Sequence, residues 1–600
     1  MNERDQQILH YNNLADTVRK QGDKQAAAQL FGQGLELMRQ FGASPPVASA
    51  LLSNFGILML SMGRHADAIA MQTQALAIDM EHGGPADRAF SHHNLGNALI
   101  ESGEIAGGLE QLEEARKIRE SIGDFTELVI TYEMMATTMV EHDAFTQARA
   151  YAERGMQLQE HLGFVSAFRG ILSALSRVEA HDGNWSRACA LQVRIVEFLE
   201  QMRQQRHDLT ALDIYDSRYN KHYQGAIEML LDAGEYDAAL ALIDRTRFRS
   251  GCDALDEVRV FGSPFESDAL IASPARAREL VLVEWIYPKF DWSFSMQGNL
   301  EGLELRRITT STTEGAPAGV ELESQWREHF DTTRRQSQCV IDSYADRLAD
   351  VERIAWVPHG VQWHTPFAAL THPVTGAYLH QTHELLILPS LRYGAITDTR
   401  TRQTSGRYLV IGDPTDDLPG ARAEAMAVAA ALDVSPILGA AVTRDAVRAR
   451  LNDGHYDIVH FAGHGAYSAS GMHGLVLADG FFTDDDLHAT ALSATVVNLA
   501  ACWAGMTDFS VWNELGGFVR ALLIAGVGNV VGSNYPLGDT TGRIFGVAFA
   551  QRLAADITRP CSAFREALCA LPSSSDRHMW GGLYITGQRD AVSAGPGDRG

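Results

Sequence analysis

Cysteine is scarce in this chain, and what there is forms no pattern. Six stand among 600 residues, at 189, 252, 339, 502, 561 and 569, with no CxxC pair. That spacing supports neither a disulfide framework nor a zinc site, and scattered thiols fit a reducing compartment. Long apolar runs are lacking too. The longest, from about Ala521 to Gly532, is glycine-broken and too short for a bilayer. The opening residues, Met1-Asn2-Glu3-Arg4-Asp5, hold no apolar stretch of a secretory signal. A soluble, cytoplasmic protein is expected. Positive charge is in deficit: 50 Lys and Arg against 75 Asp and Glu leave −25. Anionic membrane surfaces and phosphate backbones repel such a chain, which disfavours direct membrane or nucleic-acid binding. Neither GxxxxGK[ST] nor GxSxG occurs, and Gly526-x-Gly528 precedes a strand instead of following one.

What is present is a globular composition, 46% apolar and 21% charged, long enough for two or three folded units. The first 250 residues repeat themselves. Leu14-Ala15, Phe55-Gly56, Leu95-Gly96 and Met135-Ala136 are each followed by a turn residue: Gly22, Gly63, Gly103, Asp143. Small residues come next, at Ala27, Ala68, Gly108 and Ala148, then at Gly34, Ala75, Ala115 and Gly155. Gly183 and Gly234 mark a fifth and a sixth copy, and the period is about 40. Apolar residues three and four apart, as in Leu52, Phe55, Met59 and Leu60, read as paired helices that must stack to bury a face. The pattern resembles the tetratricopeptide repeat with a longer period. Such superhelices offer a surface to protein partners. His92, His93, Met134 and Met135 read as packing or surface residues.

From about residue 279 the texture becomes strand–helix alternation. Strands are expected at 280–287, 353–357, 385–388, 408–411, 458–461, 474–477, 496–499 and 529–531, with helices at 421–432, 444–451 (capped by Thr443) and 517–525. That order predicts an α/β domain with a largely parallel sheet, whose reactive site lies beyond the carboxyl ends of its strands. Two strands end suggestively. Tyr456–Ala462 runs into Gly463-His464-Gly465, and Ala494–Ala500 runs into Ala501-Cys502. An imidazole and a thiol then share one sheet edge. His460 stands four before His464, but on a strand, so zinc ligation from one helical face fails.

These two motifs resemble the His-Gly and Ala-Cys motifs of the caspase, separase and legumain clan of cysteine peptidases. The wider context resembles the CHAT domain, a caspase-like domain found beside tetratricopeptide repeats. Further matching blocks are Trp356-Val357-Pro358-His359-Gly360, Pro366-Phe367-Ala368-Ala369-Leu370, Gly412-Asp413-Pro414, Leu418-Pro419-Gly420-Ala421, Gly532-Ser533-Asn534-Tyr535-Pro536 and Trp580-Gly581-Gly582. One departure is Ala500-Ala501-Cys502-Trp503-Ala504-Gly505 in place of Ser-Ala-Cys-Glu-Thr-Gly. The expected layout is helical repeats over 1–250, a linker over 251–278, a CHAT domain over 279–588 and a disordered tail over 589–600. Within the domain, 279–400 is the non-catalytic half and 407–588 the catalytic half.

The resemblance implies a cysteine endopeptidase working by thiol acyl transfer without metal or organic cofactor. Cys502 is the nucleophile, His464 handles the protons, and the N–H groups of Gly465 and Cys502 hold the oxyanion. No third, orienting side chain is evident. Asp539 falls where separase-like relatives hold an acidic residue that binds arginine before the cut, with Asn534, Tyr535 and Trp503 as further substrate-lining candidates. Alternatively Asp539 caps a helix starting near Thr540, and Trp503 shapes an apolar pocket. The implied partners are a protein substrate and a regulatory protein or ribonucleoprotein on the repeats, in bacterial defence or programmed death. The competing reading is a non-catalytic scaffold.

Overall fold

The computed structural model describes residues 3–20, 22–162, 168–204, 209–247, 252, 278–287, 290–297, 299–308, 323–398, 400, 404–467, 473–501 and 517–590. The chain divides into two compact units, Met1–Glu200 and Gln201–Gly600.

The first unit is helical hairpins: Glu3–Lys20 with Lys24–Phe41, Pro45–Ser61 with His65–His82, Pro85–Glu101 with Ile105–Ile122, Phe125–Glu141 with Phe145–Leu162, and Phe168–His181 with Trp185–Gln204. Each hairpin turns at a residue that the spacing marks. Gly22, Gly63, Gly103, Asp143 and Gly183 all have left-handed φ, from 56° to 100°, which ends a helix cheaply at glycine and tolerably at aspartate. Ala27, Ala68, Ala148 and Ala188 are fully buried. At Gly96 and Gly108 the two backbones nearly touch. A methyl on Gly96 would stand 2.9 Å from the carbonyl oxygen of Gly108, and one on Gly108 2.7 Å from that of Gly96.

The repeat pattern runs to residue 250, yet its sixth hairpin, Leu209–Ala233 with Tyr236–Arg245, groups with the second unit. Two buried charges fasten it there. The Asp244 carboxylate accepts the N–H groups of Leu391 and Arg392, capping the helix Leu391–Asp398. The Arg247 guanidinium donates to the carbonyls of Val357, at 3.0 Å, and Glu284.

The second unit carries fourteen strands among its described residues: β1 Glu279–Tyr287, β2 Phe290–Gln297, β3 Asn299–Ile308, β4 Arg353–Val357, β5 Glu384–Ile387, β6 Tyr408–Gly412, β7 Ile437–Leu438, β8 His455–Ala462, β9 Gly465–Tyr467, β10 His473–Leu477, β11 Gly480–Thr483, β12 Ser493–Ala500, β13 Asn529–Ser533 and β14 Leu583–Gly587. Eleven form one sheet in the order β3-β2-β1-β4-β5-β14-β13-β12-β8-β6-β7. Strands β1, β4, β5 and β14 are mutually parallel, and so are β13, β12, β8, β6 and β7. The two blocks meet antiparallel at β13–β14. The segment 474–477, expected in this sheet, instead forms a separate small one, β11-β10-β9.

Side chains alternate across the main sheet as the strand period requires. Leu409, Ile411, Val459, Phe461, Val497 and Leu499 pack on one face with Phe518 and Leu522 of the helix Gly517–Ile524. Val410, Ile458, Ala462 and Val496 pack on the other with the helices Pro419–Ala431 and Asp539–Ala555. Both faces are covered, as in a parallel sheet. At the carboxyl end the chain stays ordered past residue 588, against expectation. Buried Arg589 donates to Glu279 at 2.9 Å, and Asp590 accepts the Cys561 N–H at 2.7 Å. Residues 591–600, and the linker apart from Cys252 and Arg278, lie outside the described residues.

Candidate active site

Asp417 and His464 stand beyond the carboxyl ends of β6 and β8, and the sequence after β12 leads to Cys502. Register does the positioning. In the parallel β8–β12 ladder Asn498 pairs with His460 and Ala500 with Ala462. His464 and Cys502 each stand two residues beyond a paired alanine. Cys502 and Trp503 themselves lie outside the described residues.

Gly463 lets the chain leave β8. A side chain there would meet Pro414 and the Phe461 ring at 3.0 Å, close enough that those side chains would have to shift. The His464 carbonyl then accepts the Val476 N–H at 3.0 Å. Gly465 opens β9, opposite Leu475 of β10. Hydrogen-bonded and open pairs alternate along an antiparallel ladder. With the bond at His464–Val476, the next pair is open, and the Gly465 N–H points away from β10.

The His464 ring is half-exposed, and its Nε2 stands 3.3 Å from Asp417 Oδ1. The hydroxyl of Thr415 also donates to Asp417, and it leads His464 in holding that carboxyl below its usual range. The loop carrying Asp417 is braced from below. Buried Asp413 accepts the Leu418 N–H at 2.9 Å and Arg422 Nε at 2.8 Å, while Arg422 also reaches Asp416. Asp413 and Asp416 hold left-handed φ of 45° and 57°. Such strain at non-glycine residues persists only where the surroundings impose it. Asp417 is the residue that sequence reasoning missed. The available signal was the acidic run Asp413, Asp416, Asp417 just past a strand end.

Beneath the edge lies a buried polar cluster. The Asn498 amide donates to His460 Nδ1 at 3.0 Å, and His460 Nε2 faces Glu424 Oε1 at 3.3 Å. Gly542 and Gly546, one turn apart on the helix Asp539–Ala555, make room for that carboxylate; a methyl on either would stand 2.8 Å from it.

The expected substrate-lining residues separate. Asn534 and Tyr535 are 2% and 1% exposed. Asn534 Nδ2 donates to the Trp363 carbonyl at 2.6 Å, and the Tyr535 hydroxyl donates to the His364 carbonyl at 2.9 Å. Burial pushes the Tyr535 phenol up. Both side chains are committed to packing, where a substrate cannot reach them. Asp539 is exposed. It is the first residue of its helix, with Gly538 at the cap, so it is not itself the cap of a helix starting at Thr540. Its carboxylate lies against Gly420, in the first turn of Pro419–Ala431.

A tetratricopeptide repeat model matches residues 6–81, and the CHAT domain model matches residues 334–588. The chain carries a CHAT domain. No curated protein matches the sequence. Among solved structures, a putative kinesin light chain of Podosopora anserina with nearly identical TPR-like repeats is 18% identical, over 34% of this chain and 100% of that one, at TM-score 0.30. BtubC of P. vanneervenii is 17% identical over 41% and 90%, at 0.29. The Saccharomyces cerevisiae separase–securin complex matches at 8% identity over 91% of this chain and 53% of that one, at 0.42. No helix among the described residues is long and apolar enough to cross a membrane. Both β8 and β12 are interior strands with a neighbour on each side, so the His-Gly segment leaves the inside of the sheet and not its edge strand.

Proposed function

We propose that this protein is a cysteine endopeptidase, controlled by a protein or ribonucleoprotein bound to its repeats, in a defence or programmed-death pathway. The observation that carries the reading is the β8–β12 register, which ends two adjacent strands together just before Gly463-His464-Gly465 and Ala501-Cys502.

The chemistry follows from the roles. The Cys502 thiol loses its proton to His464, and the thiolate sulfur bonds to the scissile carbonyl carbon. The Gly465 and Cys502 N–H groups receive the oxyanion. Collapse breaks the C–N bond, and His464 returns the proton to the leaving amine. Water, deprotonated by the same ring, then displaces the thiolate and releases the carboxylate product. With Nε2 turned to Asp417, Nδ1 serves the sulfur, and the carboxylate orients the ring and stabilises its cation. The acidic rim of Asp417 and Asp539 favours substrates with a basic residue before the cut.

Digestion of host lysate, read by N-terminal proteomics, tests the assignment. New termini generated by wild type with its partner and absent with Cys502→Ala support it. Identical terminus sets from the two proteins would leave the scaffold reading. Full activity from the second unit alone, equal to that of the partner-bound whole, would remove control through the repeats.

A further inference from the structure

Between the second and third hairpins a cleft of about 250 Å³ opens, walled by Pro45, Pro46, Ala50 and Phe90 and floored by Ser53 and Asp79. Asp79 is 6% exposed. The hydroxyls of Ser49 and Ser91 donate to its Oδ2 at 2.7 and 2.5 Å. Among the described residues nothing donates to Oδ1 and no cation pairs with the carboxylate. The lining adds a second carboxylate, Asp87, and contains no Lys or Arg. Ser53 is 1% exposed, and its hydroxyl has no hydrogen-bond partner among the described residues. A buried charge is costly unless it is paired, and here the pairing is left open toward a cleft.

The next repeat shows what fits. Forty residues on, Asp79, Asp87 and Ser91 become Arg119, Glu127 and Thr131. Buried Arg119 donates to the Thr131 hydroxyl, to the Glu127 carbonyl at 2.9 Å and to the Glu127 carboxylate at 3.2 Å. There the chain supplies its own guanidinium. At the earlier junction the acidic and hydroxyl partners remain, but the arginine has become aspartate. Arg88, the nearby cation, turns instead to the Gly83 carbonyl at 3.2 Å.

We propose that this cleft binds an arginine side chain of a partner protein. The guanidinium pairs with Asp79 and receives further charge-assisted contact from Asp87. The aliphatic stem lies along Pro45 and Pro46, and the half-exposed Phe90 ring closes over the cation. The site is independent of the proteolytic reading.

The test uses the full chain and two probes of one shape: N-acetyl-argininamide and the uncharged N-acetyl-citrullinamide, titrated by saturation-transfer NMR. The arginine probe is expected to bind saturably and about tenfold or more tighter than citrulline. Asp79→Arg, which copies the next repeat, and Ala50→Phe, which fills the cleft without touching the carboxylate, should each remove that preference. Asp87→Asn should weaken it while the helix keeps its cap. Equal binding of the two probes, or an undiminished arginine preference in a folded Ala50→Phe or Asp79→Arg protein, overturns the proposal. Free methylguanidinium as a competitor separates recognition of the cation from recognition of the stem. If it displaces nothing at saturating concentration, the cation is not what the cleft reads.

Discussion

Asn498 donates its side-chain amide to Nδ1 of His460 across 3.0 Å, directly between the two strands that lead to the candidate dyad. An amide nitrogen has only hydrogens to give, so Nδ1 accepts and the ring proton sits on Nε2, facing Glu424. Asn498→Val keeps the volume and strands the His460 acceptor in a dry layer. It should cost about 1–3 kcal/mol of stability in denaturant titration. Glu424→Gln, which keeps the shape, should cost less than Glu424→Ala. Equal losses would mean that the carboxylate, and not the volume it fills, is what the cluster requires.

Cys502→Ala and His464→Ala should each lower kcat/KM on a cleaved substrate by roughly 10⁴-fold or more, and the double variant by no more than the worse single. Asp417→Asn should do less, about tenfold, because it orients the ring and carries no reacting atom. Circular dichroism should be unchanged in all three. Multiplicative losses in the double variant would deny that the residues act as one unit.

The repeats should weaken in acid. Burial, with the Arg119 cation beside it, pushes the His93 imidazole down to about 3. The unfolded chain takes up that proton near the ordinary histidine value and the folded chain does not. Stability is therefore complete above about pH 6.5 and falls, by up to about 1.4 kcal/mol per pH unit, as pH drops from there toward 3. His93→Gln should flatten this limb of a pH–stability series. An unchanged slope would assign the acid sensitivity to other groups.

A protein beginning near residue 201 should unfold more cooperatively, and at higher denaturant, than one beginning near 251. The shorter one lacks Asp244 and Arg247. It leaves the Leu391 and Arg392 N–H groups, and the Val357 and Glu284 carbonyls, without those partners. Matching midpoints for the two would show that the sixth hairpin only rests on the sheet.

Periodicity made the repeats legible, because a left-handed turn residue and a buried small residue are each demanded at fixed intervals. The β8 and β12 strands were legible because both of their faces are buried, giving continuous apolar runs. Strands β2 and β3 escaped notice. Their sequences mix Asp291, Ser293, Arg306 and Arg307 with apolar residues, as the outer strands of a sheet allow. Asp417 was not legible as the partner of His464, since 47 residues separate them and only the sheet brings them together. Tyr535 looked like a groove residue because it lies in the stretch that leads to Asp539. Its packing is decided by Thr333, 202 residues away, whose hydroxyl lies 3.0 Å from the phenol.

The proposed preference for a basic residue before the cut rests on Asp539. The carboxylate is exposed, begins the helix Asp539–Ala555, and lies over Gly420 at the start of a second helix. Two helix N-termini meet at this carboxylate, and Asp417 stands three residues before Gly420. A guanidinium seated at this rim would gain a charge-assisted pair. Exposure tempers the gain, because water screens such pairs. Peptide-library profiling of the wild type should show a preference for Arg, and less strongly Lys, before the cut. Asp539→Asn should lower kcat/KM on Arg peptides by about 1.5–3 kcal/mol at low salt, less at high salt, and leave apolar-residue peptides unaffected. If Asp539 only steadies its helix, the variant will lose a few tenths of a kcal/mol of stability with an unchanged cleavage profile. A wild-type profile without basic preference would end the assignment at its first step.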